Sequence, residues 1–95
     1  PMRAYIAVPA SGVYSYTGTP VRVGETLRSS YFRIDGRTPT DFHVFRSQAS
    51  ALAVLTREDQ ASATLYELEV ATDDVTVTFS SALTVLFARV LRQIP

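Results

Sequence analysis

Glu67 and Glu69 stand one residue apart in the run Thr64–Val70, so on a β-strand both carboxylates project from one face. Two carboxylates that close raise one another's pKa and can divide acid and base roles between them. The alternation with Tyr66, Leu68 and Val70 equally describes the solvated face of a half-buried strand, and both readings stand at this level. His43 is the single histidine and cysteine is absent, which removes disulfides, thiolate chemistry and Cys/His zinc sites together. Asp73-Asp74 reads as a turn rather than a ligand pair, so no metal site is expected. The serines lack a nucleophile-elbow context, and the spacing of Gly12 and Gly18 is not that of a phosphate loop.

Charge narrows the partners. The nine basic residues are all arginine, balanced by nine acidic ones, so the formal net charge is zero and nucleic-acid binding has no compositional support. Arginine is the cation suited to bidentate contacts with carboxylates or phosphates. Tyr31, Phe32, Arg33 and Arg37 lie close together in the chain and combine the residue types enriched at interface hot spots, with Tyr5, Tyr14, Tyr16, Phe42, Arg22 and Arg28 adding to that character in the first half. No apolar run approaches the ~20 residues of a membrane span and no signal-peptide pattern is seen, so the expectation is a cytoplasmic protein away from membranes.

The elements that must position these residues follow from periodicity. Ninety-five residues suit one domain over 1–95, with no internal repeat or linker. Strands are predicted over 3–8, 13–16, 31–34, 42–46, 64–70 and from Val75 to Phe79, with a short alternating piece at 21–24 and a helical turn or loop at 25–30. A helix is predicted over about 48–58, N-capped by Ser47, with Ala49, Leu52, Ala53 and Thr56 on one face. Leu83, Leu86, Phe87, Val90, Leu91 and Ile94 match the spacing of an amphipathic helix, with a strand through 83–87 as the competing reading. The fold class is α+β: a small, mostly antiparallel sheet of five to seven short strands with two helices, the second C-terminal and amphipathic. That helix over 81–94 either packs on the sheet or offers its apolar stripe to a second copy of the chain.

Two resemblances enter from the residues. The terminal Pro1 is similar to the catalytic proline of the tautomerase family, but Gly12, Gly18 and Pro20 break the stretch where that family has a long helix. The stretch Tyr16-Thr17-Gly18-Thr19-Pro20-Val21-Arg22-Val23-Gly24-Glu25-Thr26-Leu27 resembles the opening of the small rifampicin-type ADP-ribosyltransferases. His43-Val44-Phe45-Arg46-Ser47, the alanine-rich helix after it and Leu65-Tyr66-Glu67-Leu68-Glu69-Val70 resemble later segments of that family, and Arg3-Ala4-Tyr5 is similar to the arginine-bearing first strand of its toxin branch. The same order of segments is similar to that of small uncharacterised phage proteins.

This resemblance implies NAD as cofactor, held by Arg3, Tyr16, Thr17, Gly18, Tyr31 and Ser47, with Glu67 and Glu69 as catalytic acids. Two departures weigh against catalysis. The family's ribose-gripping histidine falls at Tyr16, and in the toxin branch the catalytic acid pair lies in a segment later than the strand that Glu67 and Glu69 resemble. The leading expectation is therefore a small non-catalytic protein-binding or regulatory module without cofactor, of phage type, docking on a host or virion protein through Tyr31, Phe32, Arg33 and Arg37. The alternative is an NAD-dependent ADP-ribosyltransferase.

Overall fold

The computed structural model describes residues 1–29, 41–77 and 82–95. Along the chain it forms β1 (Met2–Val8), β2 (Thr26–Arg28), β3 (Phe42–Phe45), α1 (Gln48–Ala53), α2 (Arg57–Ser62), β4 (Thr64–Val70), a 3-10 turn at Thr72–Asp74, β5 (Thr76–Val77), β6 (Ala82–Val85) and β7 (Phe87–Ile94). The seven strands make one sheet in the order β2-β7-β4-β1-β3-β6-β5, every neighbouring pair antiparallel. The α+β class and the strand number agree with expectation. The expected strand at 31–34 and the interface residues Tyr31, Phe32, Arg33 and Arg37 lie outside the described residues.

Period-two alternation sorts the side chains onto two faces. Ala4, Ile6 and Val8 of β1 join Leu27, Phe42, Val44, Leu68, Val70, Leu83, Val85, Ala88 and Val90 in the main core, and the segment between β1 and β2 adds Tyr14 and Val21. The opposite face is divided. At one end Ala7, Phe45 and Ala82 pack beneath Ala51 of α1, with Tyr5, Leu52, Leu55, Ala63 and Leu65 half-covered around them. At the other end, beyond the helices, the face carries Arg3, Glu67, Glu69, Arg89 and Arg92.

The sheet is almost divided between β1 and β3. Those strands pair at a single position, Tyr5 with Phe45, whereas β1 and β4 pair along all seven residues of each. One half, β2-β7-β4-β1, thus meets the other, β3-β6-β5, at a narrow seam. The chain crosses from one half to the other between β6 and β7 through a bend at Leu86.

The C-terminal helix is a correction. Residues 82–85 and 87–94 are strands, so no helical stripe over 81–94 exists to mediate self-association. The helical spacing arises from two strands out of phase: Leu83 and Val85 face the core in β6, the bend at Leu86 resets the phase, and Ala88 and Val90 face it in β7. A register irregularity where Glu67 and Leu68 oppose Arg92 and Val90 leaves Leu91 as an extra residue and shifts the alternation again. Backbone pairing to β3 and β4 decides the matter, since β-branched Thr84, Val85, Val90 and Ile94 suit a pleated surface.

The predicted 48–58 helix is two short helices. Ser47 caps the first as expected, its Oγ accepting from the Ser50 amide at 3.1 Å, but α1 ends at Ala53 and the Thr56 hydroxyl caps α2 by accepting from the Asp59 amide at 3.2 Å. A threonine that bonds the amide three residues ahead starts a new helix rather than continuing the old one. The buried face is also rotated: Ala51, with Leu52 and Leu55 half-buried, faces the sheet while Ala49 and Ala53 are exposed. Within the 25–30 piece Thr26–Arg28 form the edge strand β2, and 21–24 is a turn in which the Glu25 amide donates to the Arg22 carbonyl at 3.1 Å.

Candidate functional site

Two places on the outer face gather the chemistry-bearing residues. The first is the charged end of the sheet. Register sets Arg3 opposite Glu69, and Glu67 opposite Arg92, so alternation puts all four side chains on one face of β1, β4 and β7. The guanidinium of Arg3 reaches both acids, with Nε 3.2 Å from Glu67 Oε1 and Nη1 2.8 Å from Glu69 Oε2. Arg92 Nε closes the other side of Glu67 at 2.6 Å from Oε2. Glu67 is consequently the most enclosed of the four, its side chain 14% exposed against 51% and 58% for the arginines. Each carboxylate accepts a charge-assisted hydrogen bond from arginine, and Glu67 is paired with two arginines, Glu69 with one.

The same face continues to β2 and β7. Arg28 opposes Phe87, and Thr26 opposes Arg89, with Leu27 and Ala88 turned to the core between them. The Arg28 guanidinium carbon sits 5.2 Å from the centre of the Phe87 ring, within cation–π range. Phe87 remains 39% exposed, beside a shallow hollow of about 410 Å³ bordered by Thr26, Glu69, Asp73 and Arg89. Among the described residues neither Arg28 nor Arg89 makes an ion pair.

The second place lies at the seam. Continuing the single β1–β3 pair would set Ala7 against His43; instead the His43 carbonyl accepts the Tyr14 hydroxyl at 2.5 Å. Tyr14 is held there by the turn it begins. The amides of Thr17 and Gly18 donate to its carbonyl at 3.1 and 2.9 Å, and Gly18 takes the positive φ of 68° that such a return demands. Tyr14 is buried, which pushes its phenol well above the ordinary value, and the neighbouring Tyr16 phenol adds to that. Tyr16 stands edge-on to the His43 ring at 4.6 Å between centres and lies 5.6 Å from the Tyr14 ring. Between this turn, β1 and the two helices is a cavity of about 240 Å³.

The cofactor residues suggested by the resemblance fall into separate settings. Arg3 is engaged by Glu67 and Glu69 in the charged end. Thr17 is fully buried, its hydroxyl donating to the Tyr14 carbonyl at 3.1 Å, so it staples the turn. Ser47 caps α1. Tyr16 borders the seam cavity, and Tyr31 lies outside the described residues. Arg3 and the cavity floor at Ala7 are four residues apart along β1, about 13 Å at strand rise. Tyr14 and Phe42, read as surface aromatics, are core residues. Phe87 and Arg89 escaped the sequence reading because a helical phase assigned Phe87 to an apolar stripe; the alternation Phe87, Ala88, Arg89, Val90 was the signal that locates them.

No helix among the described residues is long and apolar enough to cross a membrane, and no group of three or more His, Asp or Glu residues gathers there as a metal site. Comparison with protein-family models, with curated proteins and with solved structures finds no match to this chain.

Proposed function

We propose that the domain is a non-catalytic binding module that docks on an acidic segment of a protein partner through the face of β2 and β7 that carries Phe87. The observation that carries this reading is the Phe87 ring, 39% exposed on the sheet face beside Arg28 and Arg89. Aromatic and arginine side chains supply most hot-spot energy at protein interfaces. The face holds four arginines, Arg3, Arg28, Arg89 and Arg92, against Glu67 and Glu69, which Arg3 and Arg92 engage, and Asp73 at the rim of the Phe87 hollow, an excess of one cation. That excess favours a partner carrying carboxylates around an apolar side chain. A zero net charge over the chain supports a protein rather than a nucleic acid as that partner.

Glu67 and Glu69, the acids an ADP-ribosyltransferase would use, are each neutralised by arginine, which supports binding over catalysis. The test is fluorescence anisotropy with a labelled peptide bearing one tryptophan among glutamates, beside its lysine counterpart. The glutamate peptide should bind, weaken as salt rises, and lose at least about ten-fold in affinity on joint Arg28→Glu and Arg89→Glu reversal. Equal binding of the lysine peptide, or indifference to the reversal in folded protein, refutes the proposal.

A further inference from the structure

The seam cavity is a second site with a different character. It lies where β1 and β3 part after Tyr5–Phe45, beside the Ala7–Ala51 contact and bordered by the 9–16 segment and α2. Ala7, Val13, Ala51 and Leu55 make its apolar part, the rings of Tyr14 and Tyr16 border it, and Ser11 and Ser15 add polar groups from the 9–16 segment. The side chains at its mouth are left open to solvent: Tyr16 and Val54 are among the few large apolar residues exposed, and both line this one space. Exposed apolar groups that converge on a concavity mark a ligand surface more often than chance scatter does.

One charged group lines it. Asp59, in the first turn of α2, is half-buried, and among the described residues its carboxylate takes part in no ion pair. Its backbone is held, the amide donating to the Thr56 hydroxyl and the carbonyl accepting from the Ser62 hydroxyl. A volume of about 240 Å³ is a little below the roughly 300–1,000 Å³ of drug-sized ligand pockets, which suits a small one- or two-ring molecule. An apolar patch, an aromatic flank, two serines and a single anion together favour a flat heteroaromatic ring bearing one positive charge, since a cation gains from aromatic rings as well as from the carboxylate.

We infer that this cavity binds a small aromatic amine in its protonated form, the ring between Tyr16 and the Ala51–Leu55 wall and the ammonium toward Asp59. The probes are tryptamine, indole and indole-3-acetate, which share a ring and differ in charge, titrated into the intact protein while backbone amide shifts are recorded. Tryptamine should move the amides of Ala7, Val13, Ala51 and Leu55 in a saturable manner, with an affinity at least about five-fold above indole-3-acetate. Asp59→Asn keeps the helix cap, which uses the backbone, and should reduce the tryptamine preference by about three-fold or more, the upper range for a solvent-exposed ion pair. Tyr16→Ala should weaken tryptamine and indole together. Absence of saturable shifts at 10 mM probe (roughly the weakest binding such a pocket should give), equal or tighter binding of indole-3-acetate, or an unchanged preference in folded Asp59→Asn protein each overturns the inference.

Discussion

Removing one oxygen atom, in Tyr14→Phe, tests how the seam is held. The Tyr14 hydroxyl donates to the His43 carbonyl at 2.5 Å where the β1–β3 ladder has stopped, and the ring is buried against Phe42, 6.3 Å between centres. The ring packing survives the change, so the loss is that of the hydrogen bond. A net hydrogen bond contributes about 1 kcal/mol and a buried acceptor deprived of its donor costs about 1–3 kcal/mol, which gives a destabilisation of about 1.5 kcal/mol near neutral pH. For a domain of this size that is a fall in Tm of roughly 6–12 °C.

Alkaline pH supplies the discriminating arm of the same experiment. Burial, with Tyr16 beside it, raises the folded-state pKa of Tyr14 above its ordinary value of 10.0. Above that pH the unfolded chain releases the phenolic proton while the native state retains it. The unfolded state then binds fewer protons, and stability falls as pH rises, by about 1.4 kcal/mol per unit. Tyr14→Phe lacks this proton, while the other tyrosines are common to both proteins and cancel in the difference. Urea unfolding followed by circular dichroism from pH 7 to 11 should show the parent more stable by about 1.5 kcal/mol at pH 7 and the two proteins converging near pH 11. Parallel stability curves across that range, or a variant as stable as the parent at pH 7, would refute the reasoning.

Three further substitutions probe other parts of the fold. Leu68→Ala empties a fully buried position on β4, between β1 and β7, and should cost about 2–5 kcal/mol by chemical denaturation. Gly24→Ala meets no steric obstacle but must hold φ at +90° where the Gly24 amide donates to the Val90 carbonyl, so a loss of about 1–2 kcal/mol is expected, with hydrogen exchange at β2 accelerated first. A double-mutant cycle on Glu67 and Arg92 should return a coupling of about 0.2–1 kcal/mol that shrinks as salt is raised, because the arginine is more than half exposed; a larger, salt-insensitive coupling would contradict a surface network.

The strands expected over 3–8, 42–46 and 64–70 lie within a residue or so of β1, β3 and β4, whose apolar alternation runs without a bend. The C-terminal third was not legible, because apolar residues from two strands with a bend at Leu86 and an extra residue at Leu91 add up to a helical spacing. Only the pairing partners on β3 and β4, distant in sequence, decide between the two periods. The same cause hid the candidate site. Glu67 and Glu69 were visible as a pair on one face, but their neutralisation by Arg3 and Arg92 depends on β4 lying between β1 and β7. The seam cavity needs strands to part after one register position, which no local pattern encodes.

The most direct measurement of the docking account is a map of backbone amide shifts during titration with the tryptophan–glutamate peptide. The account predicts saturable changes concentrated at Thr26–Arg28 and Phe87–Arg89, abolished in a Phe87→Ser variant whose remaining spectrum is that of the folded parent. Saturable shifts located elsewhere in the domain, or shifts that persist unchanged in Phe87→Ser, would contradict it.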